Sequence, residues 1–66
     1  MSDAAARLEA CRAIVSDWPA KWQERLRERI AIMAEDSPET ELTIVEAAMD
    51  DTCEVAVRQG EPLPQF

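Results

Sequence analysis

Thr40-Glu41-Leu42-Thr43-Ile44-Val45-Glu46-Ala47-Ala48-Met49-Asp50-Asp51-Thr52-Cys53-Glu54-Val55-Ala56-Val57 is the stretch that decides the fold. Thr40, Thr43, Ile44, Val45, Thr52, Val55 and Val57 are β-branched, and Asp50-Asp51 suits the turn of a hairpin. Against a hairpin, Leu42, Val45, Met49, Cys53 and Ala56 recur at helical spacing and would form an inner face. Glu46-Ala47-Ala48-Met49 is strongly helical, and the alternation a half-buried strand needs is poor. Helix is therefore the expectation and hairpin the alternative. Ile44, Ala48 and Val55 form a second apolar line on another side of that helix, one that a small bundle would leave exposed.

The flanks supply the boundaries. Ser37 fits an N-cap, Pro38 the first helical position, and Glu39 and Glu41 a first turn where the helix dipole favours negative charge. Gly60 supplies a left-handed stop after Gln59, and Pro62 reinforces it. Upstream, Pro19 disfavours helix at Trp18 and suits the start of a new one. A first helix over 3–17, capped by Ser2 or Asp3, then carries Ala4, Leu8, Cys11, Val15 and Trp18 on one stripe. A second helix over 19–35 carries Trp22, Leu26, Ile30 and Met33. The sequence thus predicts an all-α fold, three short helices in a small bundle that dimerises. Residues 1–60 form its single domain and 61–66 an extended, proline-rich tail. Leu63 and Phe66 of that tail either cover the chain's own core or dock in a partner's groove.

Composition narrows the function. The chain has 66 residues, 14 acids, 7 bases and no histidine, for a net charge of −7. A chain this short supports one marginal core, which oligomerisation or a partner commonly supplements. Without histidine, the usual triads, Cys–His nucleophiles and imidazole metal sites are excluded. An enzyme is not expected, nor is a cofactor or metal. No apolar run is long enough to cross a membrane, and Met-Ser-Asp-Ala-Ala-Ala lacks the basic and apolar blocks of a secretory signal. Two cysteines, Cys11 and Cys53, read as buried residues in a reduced, cytoplasmic setting.

Two charged constellations remain. Glu46, Asp50 and Glu54, with Asp51 adjacent, align at four-residue spacing, as do Lys21, Arg25 and Arg29 on the second helix. The acidic set lacks the spacing of a calcium loop, and the Glu-x-x-His pairs of a di-iron bundle are absent, so a solvated face is the plainer reading. The basic set sits in a half of the chain (residues 1–34) with a net charge of +1, against −8 for residues 35–66. Direct nucleic-acid binding is therefore not expected. On idealised helices the two stripes flank opposite sides of the seam between the second and third helices. They should not pair with each other, and each would be free for another helix or another subunit.

Trp18-Pro19-Ala20-Lys21-Trp22, followed by Glu24-Arg25 and Glu28-Arg29-Ile30-Ala31-Ile32-Met33-Ala34-Glu35-Asp36, resembles short helical accessory proteins of bacterial phages and integrated mobile elements. The resemblance covers roughly residues 18–50 and departs at Ser37-Pro38, where a Gly-Gly turn is common. It implies a genetic setting and carries over no site residue. The expected function is that of a non-enzymatic interaction module which binds a host protein and inhibits or redirects it. One alternative is an acidic nucleic-acid mimic that blocks a DNA- or RNA-binding protein; another is a self-associating assembly subunit. Candidate contact residues are Glu46, Asp50, Glu54, Ile44, Val55, Lys21, Arg25 and Arg29, with Ile44 and Val55 assigned to a homodimer or a target.

Overall fold

A computed structural model describes residues 3–36 and 38–65. Three helices follow in order, α1 (Asp3–Ser16), α2 (Ala20–Asp36) and α3 (Glu41–Arg58), and no strand occurs among the described residues. The protein is an all-α small bundle. The decisive stretch is helix, and the hairpin alternative falls. Its β-branched residues are accommodated because the helix penalty of each is only a few tenths of a kcal/mol, which burial readily outweighs. Thr52, almost fully buried, satisfies its hydroxyl by donating to the Ala48 carbonyl at 2.8 Å.

Helix ends follow the sequence closely at Gly60 and depart from it at the starts of α2 and α3. Gly60 adopts φ 77°, its N–H donates to Val57 O at 3.0 Å, and Glu61 N–H donates to Ala56 O at 2.8 Å. Those paired bonds are a Schellman stop, which needs a left-handed residue where glycine stands. Pro19 sits one position earlier than expected. Its carbonyl accepts from Gln23 N–H at 3.1 Å and Trp22 N–H at 3.0 Å, so it acts as the N-cap of α2.

The start of α3 is a larger correction. Pro38 and Glu39 lie outside the helix, and Thr40 is the N-cap, its hydroxyl accepting from Thr43 N–H at 3.4 Å. Thr40 offers the same capping oxygen as a serine, so the chain contains two competing start signals and uses the later one. The proposed Ser37 cap lies outside the described residues, as do Ser2 and Phe66.

α3 is the centre of the molecule. Ile44, Ala48, Met49, Thr52, Cys53 and Ala56 are buried on it, whereas α2 buries Trp22 and Leu26, and α1 only Cys11. At 3.6 residues per turn the buried set covers about half of the circumference of α3, because α1 and α2 pack on different sides of it. Ion pairs mark the two sides: Arg7–Glu46 and Arg12–Glu41 join α1 to α3, and Arg29–Asp51 joins α2 to α3. This overturns the expectation that Ile44, Ala48 and Val55 stand exposed. Ile44 and Ala48 are buried and Val55 is half-buried, with Val55 at the α2–α3 seam beside Asp51 and Thr52. Ile32 does remain exposed, at 52%.

The tail folds back on the bundle. Trp18, buried in the α1–α2 connection, donates its indole N–H to Pro64 O at 3.1 Å, and Leu63 packs against the core. Lys21 pairs with Glu61 at 2.7 Å. Residues 61–65 thus form neither helix nor strand, and Leu63 covers part of the chain's own core.

Candidate functional site

The basic stripe is engaged within the chain. Arg29 pairs with Asp51 at 3.1 Å and Lys21 with Glu61, while the Lys21 ammonium and the Arg25 guanidinium lie 5.4 and 5.9 Å from the Trp22 ring centroid. Cations at that range over an indole are attracted by its quadrupole. On the acidic side another helix does take up the flank, through Arg7 of α1, whereas the basic stripe meets α3 and the tail rather than a further helix or subunit. The stripes do avoid each other, but Asp51, one residue round the helix from Asp50, is turned toward α2 and meets Arg29.

On the acidic face, Glu46 pairs with Arg7 and Glu54 with Arg58, the latter at 2.8 Å within α3. Asp50 is exposed and carries no ion pair among the described residues. These pairs leave less uncompensated negative charge on the outer face of α3 than the sequence suggests. Among the described residues no cluster of His, Cys, Asp or Glu is arranged to hold a metal ion.

Cys11 and Cys53 are buried and unbridged. Burial, and secondarily the Glu46 carboxylate, push the Cys11 thiol above its ordinary value of 9.0, with Arg7 opposing. A thiol held protonated is a poor nucleophile. Trp22 presents another buried polar group: its indole N–H has no hydrogen-bond partner among the described residues.

The feature that sequence reasoning missed is a trough between α1 and α2. It has a volume of about 420 Å³ and is lined on its apolar side by Leu8, Val15, Leu26, Ile30 and Val45. Arg12 reaches it from α1 and Arg27 from α2, with Glu41 of α3 also on its lining. Leu8, Val15 and Ile30 are only half-buried. Helical spacing shows that Leu8, Val15 and Ile30 belong to inward stripes. It does not show that the two helices bearing them would each pack on α3 and leave a gap between. The polar residues Gln23 and Arg27, beside Leu26 and Ile30, were the available signal.

A second, smaller recess of about 190 Å³ lies at the α2–α3 seam and includes Arg25, Arg29, Ile32, Asp51 and Val55. Lys21, Arg25, Arg29 and Val55 thus gather round one side of α2, whereas Glu46, Asp50 and Glu54 occupy the outer face of α3. Ile44 is buried apart from both. No helix among the described residues is long and apolar enough to cross a membrane. Compared with protein-family models, with curated proteins and with solved structures, the chain matches none.

Proposed function

We propose that this chain is a non-enzymatic, cytoplasmic protein-interaction module, a phage or mobile-element accessory protein that binds a host protein and inhibits or redirects it. The observation that carries this reading is the apolar trough between α1 and α2. Large aliphatic side chains half-exposed along one concave surface are a recognised mark of a protein contact. The absence of histidine and the raised pKa of Cys11 are consistent with action by contact. The phage setting rests on the resemblance of residues 18–50.

The acidic-mimic reading draws on the outer face of α3, where Glu46, Asp50 and Glu54 align. Its support is reduced because two of the three are already paired. Self-association through Ile44 and Ala48 loses its basis, since both are buried. The test is affinity capture from a bacterial lysate with the wild-type chain and with Leu8→Glu, read by mass spectrometry. Leu8 lines the trough and is half-buried, so the variant should keep its helical circular dichroism. A partner captured by wild type and lost with Leu8→Glu supports the reading. Capture that is indifferent to Leu8 but lost when Glu46, Asp50 and Glu54 are neutralised transfers the function to the acidic face.

A further inference from the structure

The trough has a definite shape and a definite charge. α1 and α2 both lie on α3 and touch one another only weakly, so the trough between them is where a further helix would complete a four-helix bundle. Leu8 to Val15 along the α1 wall spans roughly 10 Å at 1.5 Å per residue, or about two helical turns. An occupant of that length offers apolar anchors at i, i+3 or i+4, and i+7.

The rim sets the chemistry of its flanks. Arg27 is exposed and takes part in no ion pair among the described residues. Arg12 meets Glu41 only at 3.6 Å, with both side chains well exposed, which leaves the guanidinium open to exchange for a better carboxylate. On a chain of net charge −7, this trough carries two guanidiniums against one carboxylate. A second copy of the chain suits it poorly, because a twofold contact here would gather Arg12 and Arg27 from both copies. Nucleic acid suits it no better, since the floor is aliphatic and the chain as a whole is acidic.

Resting on the interaction reading above, the geometry points to an amphipathic partner helix as the occupant, its aliphatic stripe seated in the trough and its flanking carboxylates paired with Arg12 and Arg27. The occupant is thus acidic although the protein that receives it is acidic too. At physiological salt, fields are screened within about 8 Å, so the local rim outweighs the distant charge.

That conflict of signs makes the proposal testable. Two labelled peptides of about 18 residues, long enough for five turns, share one leucine stripe and differ only in Glu or Lys at the flanking positions. Fluorescence anisotropy with the full chain measures both. The Glu peptide should bind about tenfold more tightly than the Lys peptide, a difference of about 1.4 kcal/mol. Arg27→Glu should reverse the order, and Leu8→Glu should abolish binding of both. Tighter binding of the Lys peptide means that net charge governs and overturns the proposal. Equal binding, no binding, or insensitivity to Arg27→Glu overturns it as well. A doubled mass in sedimentation equilibrium that Leu8→Glu returns to 7.4 kDa would assign the trough to a second copy instead. Failure of the peptides beside a Leu8-dependent capture from lysate removes the acidic helix and leaves the interaction module standing. Peptide binding without any lysate capture does the reverse.

Discussion

Trp22→Ala tests the packing argument most directly. Trp22 is 2% exposed and belongs to the core cluster with Leu26, Met49 and Cys53. Truncating a buried tryptophan costs about 3–5 kcal/mol in lost transfer energy and residual cavity. At roughly 0.05–0.15 kcal/mol per residue, a chain of 66 residues has about 3–10 kcal/mol in all. The variant should therefore lose most or all of its cooperative transition in a thermal melt followed by far-ultraviolet circular dichroism. Trp22→Phe separates ring burial from the indole N–H. Because no group among the described residues accepts from that N–H, its removal sacrifices no hydrogen bond within the described chain and offsets part of the lost ring area. The phenylalanine variant should stay within about 1.5 kcal/mol of wild type. In a domain of this size each kcal/mol moves the Tm by about 4–8 °C, so the two variants are easily told apart. An alanine variant that melts with wild type would refute the assigned register of α2. A phenylalanine variant as damaged as alanine would show that the N–H has a partner after all.

Gly60→Ala should destabilise by about 1–2 kcal/mol through the backbone alone, since φ is 77° and a Cβ there would meet nothing within 4 Å. Denaturant melts check it, and an unchanged midpoint would remove the left-handed stop from the account. Replacing Glu46 and Glu54 with Gln and Asp50 with Asn should preserve the helical spectrum, because exposed ion pairs are worth about 0–1 kcal/mol each and net charge falls from −7 to −4. Collapse of the fold would mean that Arg7–Glu46 anchors α1 far more strongly than its exposure implies. The raised pKa of Cys11 gives a sign for alkaline stability. Its folded-state value lies above the unfolded one, so its contribution is complete below about 9 and is lost as pH rises through the folded value. A chemical-denaturation series across that range should show the decline in wild type, and a smaller one in Cys11→Ala.

The three-helix architecture was legible because each helix repeats its apolar residues at a helical period and is bounded by Pro or Gly. Trp22 and Leu26 were readable as core for that reason, as were Met49, Cys53 and Ala56. Less legible was how many neighbours α3 has. Periodicity assigns Ile44, Ala48 and Val55 to a common side but is silent on what covers it. Here Ile44 and Ala48 are buried, and Val55 lies at the seam with α2. The start of α3 was misplaced for another reason: Ser37-Pro38 and Thr40 are both competent caps, and local chemistry does not rank them. As for the sites, both charged stripes lie on helices, α2 and α3. Their partners were not foreseen, because one residue round a helix turns a side chain by about 100°, enough to bring Asp51 onto Arg29 while Asp50 stays outside.

The trough and the weakness of α1 have one origin. α1 fully buries a single side chain, Cys11, and is otherwise held by half-covered aliphatics and by exposed ion pairs from Arg7 and Arg12. Closing the bundle would require α1 and α2 to meet along Arg12, Ser16, Gln23 and Arg27, positions that would set two guanidiniums in a dry seam. Burying like charges together costs more than the aliphatic contacts between Leu8, Val15 and Ile30 would return. α1 and α2 meet only weakly, and the two arginines on the trough's lining are the ones available to a carboxylate-bearing partner. A leucine at either arginine position would favour a tighter bundle and forfeit that recognition, the usual exchange between stability and a working surface.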